Sequence, residues 1–199
     1  GKGREVPLAP LDMPAQDAPD LVTFRTMEQL NVLRGINARL AWFPEDWREN
    51  ALEAGLAQMP QGTWLQLPTV CEEATLQGLH AFVERHQEWL GGVVLGSVGQ
   101  LGMTWPVPMG AGSGIPVMNR RAAALLFQAG CRFAVASPEL TGAETENLLA
   151  GGAPLLAPAY GRTQLMLLHH CPARTALGLK NGHAACTMCD DGAPDALRG

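Results

Sequence analysis

Cys171, Cys186 and Cys189 stand in the pattern C-x14-C-x2-C, and three of the five histidines, His169, His170 and His183, stand beside or between them. A Cys-x-x-Cys turn presents two thiolates about one metal ion's width apart, and a third thiolate returning from a strand end makes three ligands. Tetrahedral zinc and a [4Fe–4S] cluster each take four. His183, three residues before Cys186, completes a Cys3His zinc set from within the segment. Cys71, Cys131, His169, His170 or a cysteine outside the sequence are the other sources of a fourth ligand. The competing reading is a metal-free tail with exposed thiols, because "ALGLKNGHAACTMCDDGAPDALRG" offers little to pack. Bound metal orders such short segments, and its loss disorders them.

The second group with chemical potential is His169 and His170, which follow an apolar run. If that run is a strand, one imidazole points into the space at the strand ends. There it serves as acid, base or ligand, with Glu139 of the preceding unit as partner. Other features carry less. The stretch "GAGSG" from Gly110 lacks a Walker lysine and the strand-to-helix G-x-G-x-x-G spacing, so it reads as a flexible loop rather than a phosphate cradle. His80 and His86 are six residues apart and do not share a helix face as i, i+4 ligands would. Ser137 before Pro138 reads as a helix N-cap, and the isolated Cys71 and Cys131 read as packing residues. There is no Ser/His/Asp order and no H-E-x-x-H motif.

These residues need elements to hold them, and from residue 20 onward a short apolar run followed by an amphipathic stretch recurs. "LVTF", "ARLAWF", "GTWLQL", "GGVVLGS" and "CRFAVAS" read as strands, and "APLLAPAYGRTQLMLLHH" as one or two more. Between them, helices are expected in "TMEQLNVLRGI" with Thr26 as N-cap, in "PEDWRENALEAGLAQM" opened by Pro44, and in "CEEATLQGLHAFVERHQEW". "RRAAALLFQAG", closed by Gly130, and "PELTGAETENLLAGG" are the later helices, and "VGQLGMTWPVPMGAGSG" is a loop-rich passage. Six or seven βα units imply an α/β fold with a parallel sheet. A whole or incomplete TIM-like barrel is the most economical form, with an open doubly wound sheet as the alternative.

The expected organisation is a linker at 1–19, a barrel-like domain at 20–170 and a Cys-rich segment at 171–199. A chain of 199 residues buries enough apolar surface to fold without disulfides, and five cysteines, an odd number, do not form a secreted disulfide framework. A net charge of −5 argues against a dominant nucleic-acid footprint. No apolar run reaches the roughly 18 to 20 residues of a membrane span, and there is no signal pattern at the start. The expectation is a cytoplasmic protein with no membrane association. The absence of an initiator methionine and the proline-rich opening suggest a piece of a longer chain.

"SPELTGAETENLLAG" followed by "YGRTQLMLLHHCPAR" resembles the collagenase-like peptidases of family U32, whose members carry a Ser-Pro-Glu-Leu, a Gly-Arg, a Leu-Met within a strand and a Cys-Pro. "VMNRRAAALLFQAGCRFAVASPEL" is similar to that family's Asn-bearing strand end and the helix and strand after it, and "FRTMEQLNVL" to the start of the later half of its long members. The resemblance runs from about residue 20, and its motifs concentrate at 115–175. It implies a barrel-like α/β fold and a longer parent protein whose remaining part is a partner of this segment. Some members are proteases. Others are linked to hydroxylation of RNA or of quinone precursors, with cysteines holding an iron–sulfur cluster, so the resemblance implies a peptide or an RNA substrate. The family supplies no assigned nucleophile. Cys171 and Pro172 match its Cys-Pro, and Asn119, Ser137, Glu139 and Arg162 match other motif positions. A non-catalytic support or substrate-binding domain is the third reading.

Overall fold

A computed structural model describes residues 20–161, and in it apolar runs alternate with helices from the first unit onward. β1 (Leu21–Phe24) leads to α1 (Met27–Leu33), which opens in a reciprocal capping box. Thr26 Oγ1 accepts the Gln29 backbone N–H at 3.3 Å, and Gln29 Oε1 accepts the Thr26 and Arg25 backbone N–H groups at 3.4 and 2.7 Å. β2 (Arg39–Trp42), α2 (Glu49–Leu56), β3 (Trp64–Gln66), α3 (Glu73–Arg85) and β4 (Gly92–Leu95) follow. A short 3-10 helix at Val98–Gly102 then precedes β5 (Met109–Ala111), α4 (Arg120–Gln128), β6 (Cys131–Val135), α5 (Gly142–Leu149) and β7 (Leu155–Leu156).

The seven strands of the described residues are all parallel and lie side by side in sequence order. A doubly wound sheet needs a point at which strand order reverses, so that helices cover both faces. No reversal occurs here. Every crossover returns to the adjacent strand with the same hand, which leaves the helices on one face. Over the described residues the fold is therefore an incomplete α/β barrel, and the open doubly wound alternative does not hold.

The helix-facing side of the sheet buries Trp42, Leu65, Val93 and Leu95 against Leu30, Leu52, Leu79, Phe82, Val83 and Leu126. The other side carries a smaller cluster of Ala41, Trp64, Val94 and Phe133, flanked by Leu21, Val135 and Leu156. Strand alternation sorts the two sets. On the helix-free side Trp64 of β3 and Phe133 of β6 meet with ring centroids 5.3 Å apart. Three strand spacings separate their backbones, about 14 Å in a flat sheet, so the sheet curls toward this side. Gly110 on β5 lies under the Phe133 ring, where a Cβ would fall inside the ring's van der Waals envelope.

Several local expectations change. α2 begins at Glu49, and Pro44 is buried in the loop before it. α5 begins at Gly142 with Thr141 as N-cap; Ser137 and Pro138 lie in a turn. The passage expected to be loop holds β5, which pairs with β4 and β6. Its glycines are not a flexible phosphate loop: Gly110 is a strand residue, and Gly114 packs against the Gly96 carbonyl too closely for a side chain. The boundary at residue 170 and the segments 1–19 and 171–199 lie outside the described residues.

Candidate functional site

Glu139 sits in the turn between β6 and α5, at the carboxyl end of the sheet, with its side chain exposed. Its backbone N–H donates to Ser137 Oγ at 3.3 Å, and the buried Ser137 donates its own N–H to the Val117 carbonyl at 3.0 Å. Ser137 therefore shapes the turn that carries Glu139. Asn119 caps α4: its Oδ1 accepts the N–H groups of Arg121 and Ala122 at 3.0 and 2.9 Å. His169, His170, Cys171, His183, Cys186, Cys189 and Arg162 lie outside the described residues.

Among the described residues no three His, Cys, Asp or Glu side chains are grouped to hold a metal ion. Cys131 is buried in the helix-facing core, and burial pushes its thiol up to about 11, so it is protonated at neutral pH and packs as a small apolar group. Cys71 is partly buried, which also raises its thiol, while a hydrogen bond with Gln100 works in the opposite sense. The described half-barrel thus supplies no second thiolate pair, and the fit of zinc or a [4Fe–4S] cluster rests on residues 169–189. His80 and His86 belong to α3 and its end, on the helix layer. His80 Nε2 meets the Thr104 carbonyl at 2.8 Å, and His86 Nε2 meets Glu53 Oε1 at 2.9 Å. They are structural ties.

The curled face of the sheet gathers a different set, which the sequence reading did not single out. At the amino ends of the strands Arg39 lies over both aromatic rings, 4.6 Å from the Trp64 ring centre and 4.8 Å from that of Phe133. Its Nη1 is buried without a hydrogen-bond partner, and desolvation lowers its pKa from the ordinary arginine value. At the carboxyl ends Thr23 Oγ1 donates to Gln66 Oε1 at 3.0 Å, crossing the small side chain of Ala41. Arg25 lies 4.7 Å over the ring of Phe43, which meets Trp47 edge-on at 5.6 Å. The period-two alternation of "RLAW" and "WLQ", with Arg39 and Ala41 on one side and Leu40 and Trp42 on the other, is the signal that would have found this face.

The loops above this face are tied down. Gln100, 1% exposed, accepts the N–H groups of Gly96 and Ser97 at 2.7 and 3.2 Å and donates to the Pro68 carbonyl at 2.8 Å. It joins the loops after β3 and β4. No described strand carries a carboxylate or a histidine. The face therefore offers hydrogen-bond donors and aromatic surface, and any proton transfer there falls to loop residues such as Glu139 or to residues beyond 161.

Compared with models of protein families, with curated proteins and with solved structures, the chain matches none. Among the described residues no helix is long and apolar enough to cross a membrane.

Proposed function

We propose that this half-barrel is a segment of a longer collagenase-like protein of the U32 peptidase type. In this reading it binds peptide substrate and carries a cysteine-based metal site. Glu139, His169 and His170 are its acid–base groups at the mouth of the barrel, and Cys171, Cys186, Cys189 and His183 are its metal ligands. One observation carries the reading: the matched motif residues Asn119, Ser137 and Glu139 follow the carboxyl ends of adjacent parallel strands β5 and β6, joined by the Ser137 N–H to Val117 bond. Active sites of parallel barrels gather at that end. The curled face, whose described strands carry no carboxylate or histidine, fits a binding role for the strands, with chemistry left to the loops.

The test is cleavage of casein or gelatin by the protein purified without oxygen, paired with metal analysis. Cleavage that falls at least a hundredfold in Glu139→Gln or His169→Gln is the expected result, with one zinc per chain lost in Cys171→Ser. Absence of cleavage removes the peptidase reading. A brown protein absorbing near 400 nm, losing that band in Cys171→Ser, replaces it with an iron–sulfur protein of the hydroxylase kind acting on RNA or an aromatic precursor. A protein that binds neither metal nor iron leaves the segment as a non-catalytic support for the rest of its parent chain.

A further inference from the structure

From the arrangement of Thr23, Arg25, Phe43 and Gln66 at the carboxyl end of β1–β3, we infer a subsite for the C-terminal residue of a peptide. This rests on the peptide-substrate reading above. The β1–β2 register continues one residue past the strands, since the Phe43 N–H donates to the Phe24 carbonyl at 2.8 Å. Carrying the pairing of Ala41 with Trp64 and of Trp42 with Leu65 one residue further sets Phe43 beside Gln66. Arg25, Phe43 and Gln66 thus form one row across three strands.

Two features make the row a receptor. Phe43 lies between Arg25 and Gln66, and the guanidinium carbon lies 4.7 Å over its ring centre, so the N–H groups, which have no partner among the described residues, can take a carboxylate in two parallel bonds. Arg25 makes no salt bridge and no side-chain hydrogen bond among the described residues. On the other side, the Gln66 oxygen already accepts from Thr23, which leaves its two Nε2 donors without a partner among the described residues. A guanidinium for a carboxylate, with an amide donor beside it for the preceding peptide carbonyl, is the donor pattern of a chain terminus. The ring of Phe43 supplies apolar surface for the last side chain.

A polynucleotide would need a row of cations. Both lysines of the chain lie outside residues 20–161, and Arg48 and Arg85 are engaged by Asp46 and Glu49. Among the described residues Arg25 is exposed at the carboxyl end of this face, Arg39 lies against the Trp64 and Phe133 rings at the amino ends, and no strand carries a carboxylate to oppose them, which suits a single carboxylate at Arg25.

The test is fluorescence anisotropy on the full chain with three probes: a dye-labelled pentapeptide ending in a free carboxylate, its amide-capped twin and a labelled single-stranded RNA hexamer. The free-carboxylate peptide is expected to bind about tenfold more tightly than its twin, the difference of one charge-assisted bidentate contact. Arg25→Gln should erase that preference, and Gln66→Leu should weaken both peptides alike. Arg25 is exposed, so its variant folds, which an unchanged circular dichroism melt verifies. Equal binding of the two peptides, a preference that survives Arg25→Gln, or Arg25-dependent RNA binding tighter than either peptide each overturns the inference. Casein cleavage separates the two levels: a failed subsite leaves cleavage in place, and a failed peptidase reading abolishes cleavage while the carboxylate preference persists.

Discussion

On the curled face the smallest residues determine where the largest can lie. Gly110 leaves room for the Phe133 ring, Ala41 lets Thr23 reach Gln66, and Trp64 and Phe133 together hold the Arg39 guanidinium. Gly110→Ala forces the ring or the strand to shift, and overpacking of this kind costs about 2 kcal/mol. Urea unfolding should show that loss, and Gly110→Ala with Phe133→Leu should recover more than half of it. At this scale the sequence was legible where a residue's partner is the core as a whole: Cys131 reads as a packing residue and is one. Arg39 was not, because its partners lie on β3 and β6, and only the curl of the sheet brings them to it. Ser137 was misjudged for a different reason. A Ser-Pro pair suits a turn as well as a cap, and the reciprocal bonds available to Thr141 and Glu144 move the helix start four residues on.

Helix ends and short strands show how local signals compete. Thr26 caps α1 as its sequence predicts, with Gln29 three residues on completing the box. α5 has the same device in Thr141 and Glu144, and Thr141→Ala should lower stability by about 1 kcal/mol in urea unfolding at pH 7. The backbone and hydroxyl of Thr141 donate to Glu144 and hold its carboxyl below the usual glutamate range. A carboxyl depressed in the folded state stabilises at pH values above its unfolded pKa, and that contribution disappears as pH falls through the folded pKa. The gap between Thr141→Ala and the parent chain should therefore be wider at pH 7 than at pH 3. Asp46, held down to about 2 by the Arg48 guanidinium and backbone N–H, acts in the same direction and lies outside that gap. β5 was illegible because its three residues are bounded by Pro108 and Gly112, both strand breakers. Pairing with β4 and β6 makes it a strand, and that information lies in neighbouring units.

For the molecule as a whole, the alternation of apolar runs and helices was enough to predict a parallel α/β sheet, since each βα unit leaves its mark within about twenty residues. The number of strands in a closed or open barrel leaves no such mark, because curvature comes from contacts between distant units such as Trp64 and Phe133. The candidate site divided the same way: Glu139 falls at the expected end of the sheet, while the Arg25, Phe43 and Gln66 row needs three registers at once. Protection from hydrogen exchange should follow position in the sheet. Among the described strands the amides of β4, buried at all four residues and paired on both sides, should exchange most slowly, and those of β1, where Thr23 is exposed, faster. The strand order has a kinetic consequence as well. Among the described residues every pairing joins a strand to its immediate successor, so no long loop has to close before this sheet begins to form. Folding is free to nucleate at any βα pair and spread in both directions, as it does in a repeat array.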